Sequence, residues 1–237
     1  MYSKEQYESV RRCLLFVHGG IGRNIMATAV VENIKKQYPH MEINVVAGCT
    51  EVFLKNPNIK RVHNLSRPSY LYEDYVIDKP TLLLNVEPYQ HFDYVHRNKN
   101  FIQCWCEMLN IECTTLQPKV YFNIAEHEMA KEYLKKFDRR MILIQHQGGK
   151  VPEKKCKKDK IIAKAGMYRR NVPENIVQEV VDGLIKRGYM VGSVGHENQF
   201  LPNGAEQIKF PIRAIVALSC HVEAVVSIDS FLLHGSA

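Results

Sequence analysis

The 237-residue chain carries 32 Lys and Arg against 25 Asp and Glu, a formal net charge of +7, with 46% hydrophobic and 24% charged residues. This is the composition of a globular protein with no apolar run long enough to span a membrane. The charged start, MYSKEQYESVRR, does not read as a secretory signal, so the cytoplasm is expected. Seven cysteines in such a chain point to reduced thiols. The positive balance suits an anionic ligand such as a nucleotide diphosphate, an acidic acceptor or a peripheral membrane surface. Nucleic acid is not expected, because no stripe of interleaved basic and aromatic residues accompanies the charge.

Residues 4 to 12 read as a short polar helix or a frayed end, and Cys13 to His18 as a buried strand. Gly19, Gly20 and Gly22 form a tight turn, after which Ile25, Met26, Ala29, Val30 and Ile34 recur at helical spacing. Lys35, Lys36 and Pro39 close that helix. Strands are expected at 42–47, 60–65 and 81–86, with a short helix at 51–55 before the Asn56-Pro57 turn. Residues 70–77 read as a helix or a lid-like segment. A helix is expected over 98–110, where Cys104 and Cys106 are read as buried thiols rather than metal ligands. A strand is expected at 119–123 and a charged helix at 125–137. A second alternation comes next: strands at 141–146, 189–194 and 223–228, and helices at 173–187 and 211–220, with Gly188 as a C-cap. Alternating strands and helices predict parallel sheets, here two Rossmann-like halves facing a cleft. The divisions are residues 1–124, a linking helix over 125–137, and 138–237.

The glycine cluster begins like a dinucleotide fingerprint, but Ile25 stands at the third glycine position and no ribose-binding acid comes after the second strand. It is no P-loop, since it lacks a subsequent Gly-Lys-Ser/Thr. Glycines still let a ligand approach the backbone, and a helix N-terminus attracts anions. An unliganded strand–helix turn is an equal reading of the bare cluster.

The wider stretch GGIGRNIMATAVVENIKKQYP, the strand INVVAG and the turn Asn56-Pro57-Asn58-Ile59 resemble the N-terminal domain of the ADP-heptose:lipopolysaccharide heptosyltransferase family, glycosyltransferase family 9. Near the other end, Val225 to His234 resembles the family's strand–Asp-Ser/Thr–helix segment, with Phe231 in place of a glycine. The resemblance implies an α/β fold of the GT-B kind, with the second domain incomplete and the chain truncated at its C-terminus. It implies inverting, metal-independent transfer of heptose or a related sugar from a nucleotide-diphosphate donor to a glycan or lipid-linked acceptor. The donor sugar is a substrate, and no cofactor or metal is implied.

The resemblance assigns the glycine turn Gly19, Gly20, Gly22 and Arg23 to the acceptor side. It assigns Arg170, Asp229, Ser230, His234, Gly148 and Gly149 to the donor side, where a guanidinium, hydroxyls and helix N–H groups hold a leaving diphosphate. Asp229 or Ser230 can also cap the last helix, since one segment can do both, and a solvated Arg170 is an equal reading of that residue. The family's acidic residue after the glycine turn is Arg23 here, which cannot serve as a base. An anionic ligand is expected to offset the placement of that cation at a helix N-terminus. Glu87 and Asp93 are the replacement bases, or else surface carboxylates. His18 and the lysine run from Lys150 to Lys164 are weaker candidates. Two other functions compete: a degenerate member that binds nucleotide or a partner without turnover, and a nucleotide-dependent oxidoreductase built on the first glycine turn.

Overall fold

The computed structural model describes residues 2–67, 70–148 and 171–236. The chain divides into two compact units, one ending at Tyr121 and the other spanning Phe122–Ser236. Each holds a four-stranded, all-parallel sheet.

In the first unit, strands β1 (Arg12–Val17), β2 (Glu42–Ala47), β3 (Ile59–Asn64) and β4 (Thr81–Leu84) stand in the order β3-β2-β1-β4. β1 and β2 are apolar along almost their whole length because both lie inside a covered parallel sheet. Helix α1 (Lys4–Ser9) is a formed helix, closed by a Ser3–Gln6 capping box. It is anchored by buried Tyr7, whose hydroxyl donates to the Leu109 carbonyl at 2.7 Å. Helix α2 (Ile21–Gln37) is buried on most of its circumference, from Ile25 and Met26 to the polar Arg23, Asn24, Thr28 and Asn33. Each of these four polar residues has partners inside the unit. The expected 51–55 helix is a 3-10 turn over Thr50–Phe53. The 70–77 segment is helix α3 (Leu71–Tyr75), pinned by buried Tyr75 against Leu14 and Val46. A short helix α4 (Phe92–Val95) precedes α5 (Phe101–Met108), which buries Cys104, Trp105 and Cys106. Every cysteine among the described residues is a free thiol.

The expected strand at 119–123 does not form. The chain there runs along α2, giving the Lys119 amide to the Thr28 hydroxyl at 2.8 Å, while Asn33 takes the Thr114 and Thr115 amides just upstream. Side chains of a helix, rather than a strand ladder, take the Thr114, Thr115 and Lys119 amides.

In the second unit, β5 (Met141–Gln145), β6 (Met190–Val194), β7 (Glu206–Ile208) and β8 (Ala224–Ser227) repeat the arrangement as β7-β6-β5-β8. The helices are α6 (Ile124–Leu134), α7 (Glu174–Lys186), α8 (Ile212–Ser219) and the one-turn α9 (Phe231–Gly235). Gly188 has φ 86°, the left-handed residue that ends α7. β7 was not expected, because three residues at a sheet edge give no readable period. Phe231, which departs from the family's glycine, packs against the core around Leu143 and Leu218.

Candidate functional site

Both sheets reverse direction of winding beside their first strand: between β1 and β4, and between β5 and β8. Ligands of open parallel sheets bind outside the carboxyl ends of the strands at such a point.

At the first of these points, β1 leads through Gly19 and Gly20 directly into α2. Gly19 has φ 85°, which a side chain rarely tolerates, and a Cβ there would lie 3.2 Å from Arg23 Cδ. Gly20 is the N-cap residue and offers no side chain to cap the helix. Asn24, fully buried, fixes the turn instead. Its Nδ2 donates to the Gly19 and Gly20 carbonyls at 3.3 and 2.8 Å, and its Oδ1 accepts the Cys49 amide at 3.3 Å. The loops after β1 and β2 are thereby fastened together.

Arg23 fastens the loop after β4. Its Nη1 donates to both Glu87 carboxylate oxygens, at 2.9 and 2.8 Å, and its Nη2 donates to the Val86 carbonyl at 3.2 Å. The guanidinium carbon lies 5.1 Å from the Trp105 ring centroid and 5.5 Å from that of Tyr89. The Arg23 side chain is 3% exposed, whereas that of Glu87 is 39% exposed. The cation at the helix start therefore has an anionic partner within the chain. Burial pushes the Glu87 carboxyl up, but the hydrogen bonds and charge of Arg23, with the Tyr89 amide and His18, outweigh it and hold the group below the usual carboxylate range. His18 Nε2 meets Asn85 Oδ1 at 3.1 Å on the same edge.

Asp93 lies apart from that pair. It is held low by hydrogen bonds from Lys99 and Asn98, opposed by some desolvation. His91, Asp93 and Glu107 bring three potential ligand atoms together. However, Lys99 Nζ already sits 3.0 Å from Asp93 and 2.6 Å from Glu107. His91 Nδ1 accepts the Asp93 amide, so its protonated Nε2 faces Glu107 at 3.4 Å. Lys99 and the His91 ring N–H are thus the partners of the two carboxylates here.

At the second point, β5 runs into His146, Gln147 and Gly148. His146 Nε2 donates to the Phe200 carbonyl at 3.0 Å, so Nδ1 carries no proton; it is buried without a partner among the described residues. Burial lowers the His146 pKa, against the effect of the Phe200 hydrogen bond. The Gly148 amide donates to Asn171 Oδ1 at 3.1 Å, and a Cβ on Gly148 would meet Ile228 Cδ1 at 3.2 Å. After β8, Asp229 Oδ1 meets His234 Nε2 at 3.2 Å. Ser230 is the N-cap residue of α9 and its hydroxyl makes no capping bond. Gly148, Asp229, Ser230 and His234 thus share the strand-end region of the second unit. Gly149, Arg170 and the lysine run 150–164 lie outside the described residues.

Sequence reasoning missed Asn24, Trp105 and His146 as parts of these strand ends. Asn24 comes after Arg23 on a helix start where amphipathic reading looks only for apolar residues. Trp105 is the single tryptophan, and its partner is 82 positions away in the chain. Ile25, at the third glycine position of a dinucleotide fingerprint, is fully buried core.

No protein-family model and no curated protein sequence matches the chain. Solved structures do. A glycosyltransferase family 9 structure from Veillonella parvula DSM 2008 aligns at TM-score 0.70 and 14% identity, over 95% of this chain and 77% of its own. E. coli ADP-heptose lipopolysaccharide heptosyltransferase II aligns at 0.65 and 13%, over 95% and 81%. An E. coli heptosyltransferase solved with ADP-2-deoxy-2-fluoro heptose aligns at 0.55 and 10%, over 95% and 85%. The chain has the fold of these glycosyltransferases, with two four-stranded parallel sheets. Among the described residues, no helix is long and apolar enough to cross a membrane.

Proposed function

We propose that this protein is a glycosyltransferase that moves heptose or a related sugar from a nucleotide diphosphate to a glycan or lipopolysaccharide-type acceptor, in the cytoplasm or at its membrane surface. The observation that carries this reading is the matched pair of parallel sheets, each with its switch point beside its first strand, aligned over 95% of the chain with a family 9 glycosyltransferase.

In this reading the first unit receives the acceptor and the second the donor. The acceptor hydroxyl oxygen attacks the anomeric carbon, the bond from that carbon to the diphosphate oxygen breaks, and the diphosphate leaves with the bonding electrons. The sugar inverts. The hydroxyl proton passes to a carboxylate, for which Glu87 at the end of β4 is the first candidate and Asp93 the second. Gly148, Gly149, Ser230, His234 and Arg170 hold the diphosphate and offset its growing charge without a metal, and Asp229 orients the His234 ring.

The test is incubation of the full chain with nucleotide-diphosphate sugars, ADP-heptose first, and lipopolysaccharide-type acceptors, with release of nucleoside diphosphate as the readout. Calorimetry should show weaker donor binding for Ser230→Ala and Arg170→Ala; unchanged affinity in both removes them from the site. A second reading is favoured by one observation: Arg23 stands where the family has an acid and is neutralised by Glu87. A degenerate member would bind the donor and release no diphosphate with any acceptor.

A further inference from the structure

The Arg23–Glu87 contact has more donors than acceptors. Of the guanidinium nitrogens, Nη1 alone serves the carboxylate, Nη2 serves Val86, and Nε is buried with no partner among the described residues. The indole Nε1 of Trp105, against whose ring the guanidinium rests, is likewise buried and unpartnered. Both groups can only donate, so they lack an acceptor. The first turn of the 17-residue α2 adds amides that no side chain caps, and these too favour negative charge. The existing anion, Glu87, is the exposed half of the pair and covers an arginine that is almost completely buried. The carboxylate is itself partly solvated, so the cost of its leaving falls on the buried cation, which must be met by another anion.

We propose that Arg23 is an oxyanion site at the carboxyl end of β1, closed in the free protein by Glu87, and that a phosphate or carboxylate group on the acceptor takes the place of Glu87. Identifying the ligand as an acceptor group rests on the transferase reading above; the anion site itself does not. Exchange would have a chemical consequence. Released from Arg23, the Glu87 carboxylate loses the partner that holds its proton affinity down and becomes a stronger base beside the group it must deprotonate. An acceptor bearing no anionic group would leave the base masked.

The single tryptophan makes the test local. Trp105 gives the one indole N–H signal in a 15N spectrum of the full chain, and it lies against Arg23. Inorganic phosphate and, separately, acetate are titrated into wild type and Glu87→Gln. The expected result is a saturable shift of the indole signal whose midpoint falls at least about tenfold in Glu87→Gln, because the competing internal anion is gone. The stronger of the two anions identifies the acceptor group. Arg23→Gln should abolish the shift. Should that variant fail to fold, Glu87→Gln decides alone, since it keeps the cation and its aromatic bed. Equal midpoints in wild type and Glu87→Gln, or no shift in Glu87→Gln with either anion, overturn the proposal: the pair is then a structural ion pair only. Donor turnover without the shift rejects the anion site and leaves the transferase reading standing. The shift without turnover does the reverse.

Discussion

The two units share one strand order and differ in the connection that leaves the first strand. In the first unit, β1 passes into α2 within three residues, and the two residues that open the helix interior, Arg23 and Asn24, turn inward to tie the neighbouring strand-end loops together. In the second, the described residues between β5 and α7 are His146 to Gly148 and Asn171 to Pro173. There the loop after β5 is held by His146 and Gln147 on Phe200 and by Asn171 on Gly148. The helices differ accordingly. α2 is buried nearly all round, while α7 buries only Val177 and Val181 along one stripe. The first unit has a strand-end edge organised by its central helix, and the second an edge organised by its loops.

The largest effect expected from breaking this contrast is at Trp105. It is fully buried and supports both α5 and the Arg23 guanidinium. Trp105→Ala should cost about 3–5 kcal/mol. Hydrogen exchange measured by mass spectrometry should show the loss in peptides covering β1 and α2, with peptides covering β5 near wild type. Leu143→Ala in the centre of β5, at about 2–5 kcal/mol, should give the opposite pattern. Equal loss in both units for either variant would mean that the two cores unfold as one.

How far these features could be read in the sequence depends on where their partners lie. The strands β1, β2, β5 and β6 and the helices α2 and α7 were legible because buried apolar runs and helical spacing are local signals. β7 was not, being three residues long, and the 119–123 segment reads as a strand because the short apolar run Val120-Tyr121-Phe122 looks the same whether or not a strand ladder takes its amides. The glycine turn could be located, but not the fate of Arg23. Its partners Glu87 and Trp105 lie more than sixty positions away, and only the fold brings them to it. The charge cost of an arginine at a helix start was legible; the carboxylate that offsets it was not.

A smaller effect sharpens the loop comparison. Asn24→Ala removes three hydrogen bonds from a fully buried position and strands the Cys49 amide. It should cost about 1–3 kcal/mol, and exchange should rise at the β1–α2 turn and at residues 48–50 together. Asn171→Ala removes the side chain's bond to the Gly148 amide from a half-exposed position. It should cost about 0.5–1.5 kcal/mol and act on the loop after β5. If Asn24→Ala proves no more costly than Asn171→Ala in urea titrations, the first edge is not the more tightly built of the two.

The smallest expected effect separates the units by pH. In the second, His146 is held below its usual pKa by burial, against the Phe200 hydrogen bond, and His221 is held low by burial, then by His127 and Lys131. In the first, His63 is lowered by burial and Arg61, against Asp74. A histidine with a depressed folded pKa stays neutral in the native state at a pH where the unfolded chain already takes a proton. Its contribution is therefore complete above the ordinary value of about 6.5 and is lost as pH falls from there toward the depressed value. Glu87 and Glu126 are both held low, Glu126 first by its hydrogen bond from Arg213. They add the same kind of loss to each unit, but only below the ordinary carboxylate value of about 4.3. Among the described residues, the histidines with a lowered pKa are two in the second unit and one in the first. Exchange protection at β5 and β8 should fall more between pH 7.5 and 5.5 than protection at β1 and β2. His146→Gln keeps a donor for the Phe200 carbonyl and removes the titrating ring, so it should take away part of the second unit's loss. An equal fall in both units, or a His146→Gln variant as acid-sensitive as wild type, would show that burial of these rings does not set the pH response.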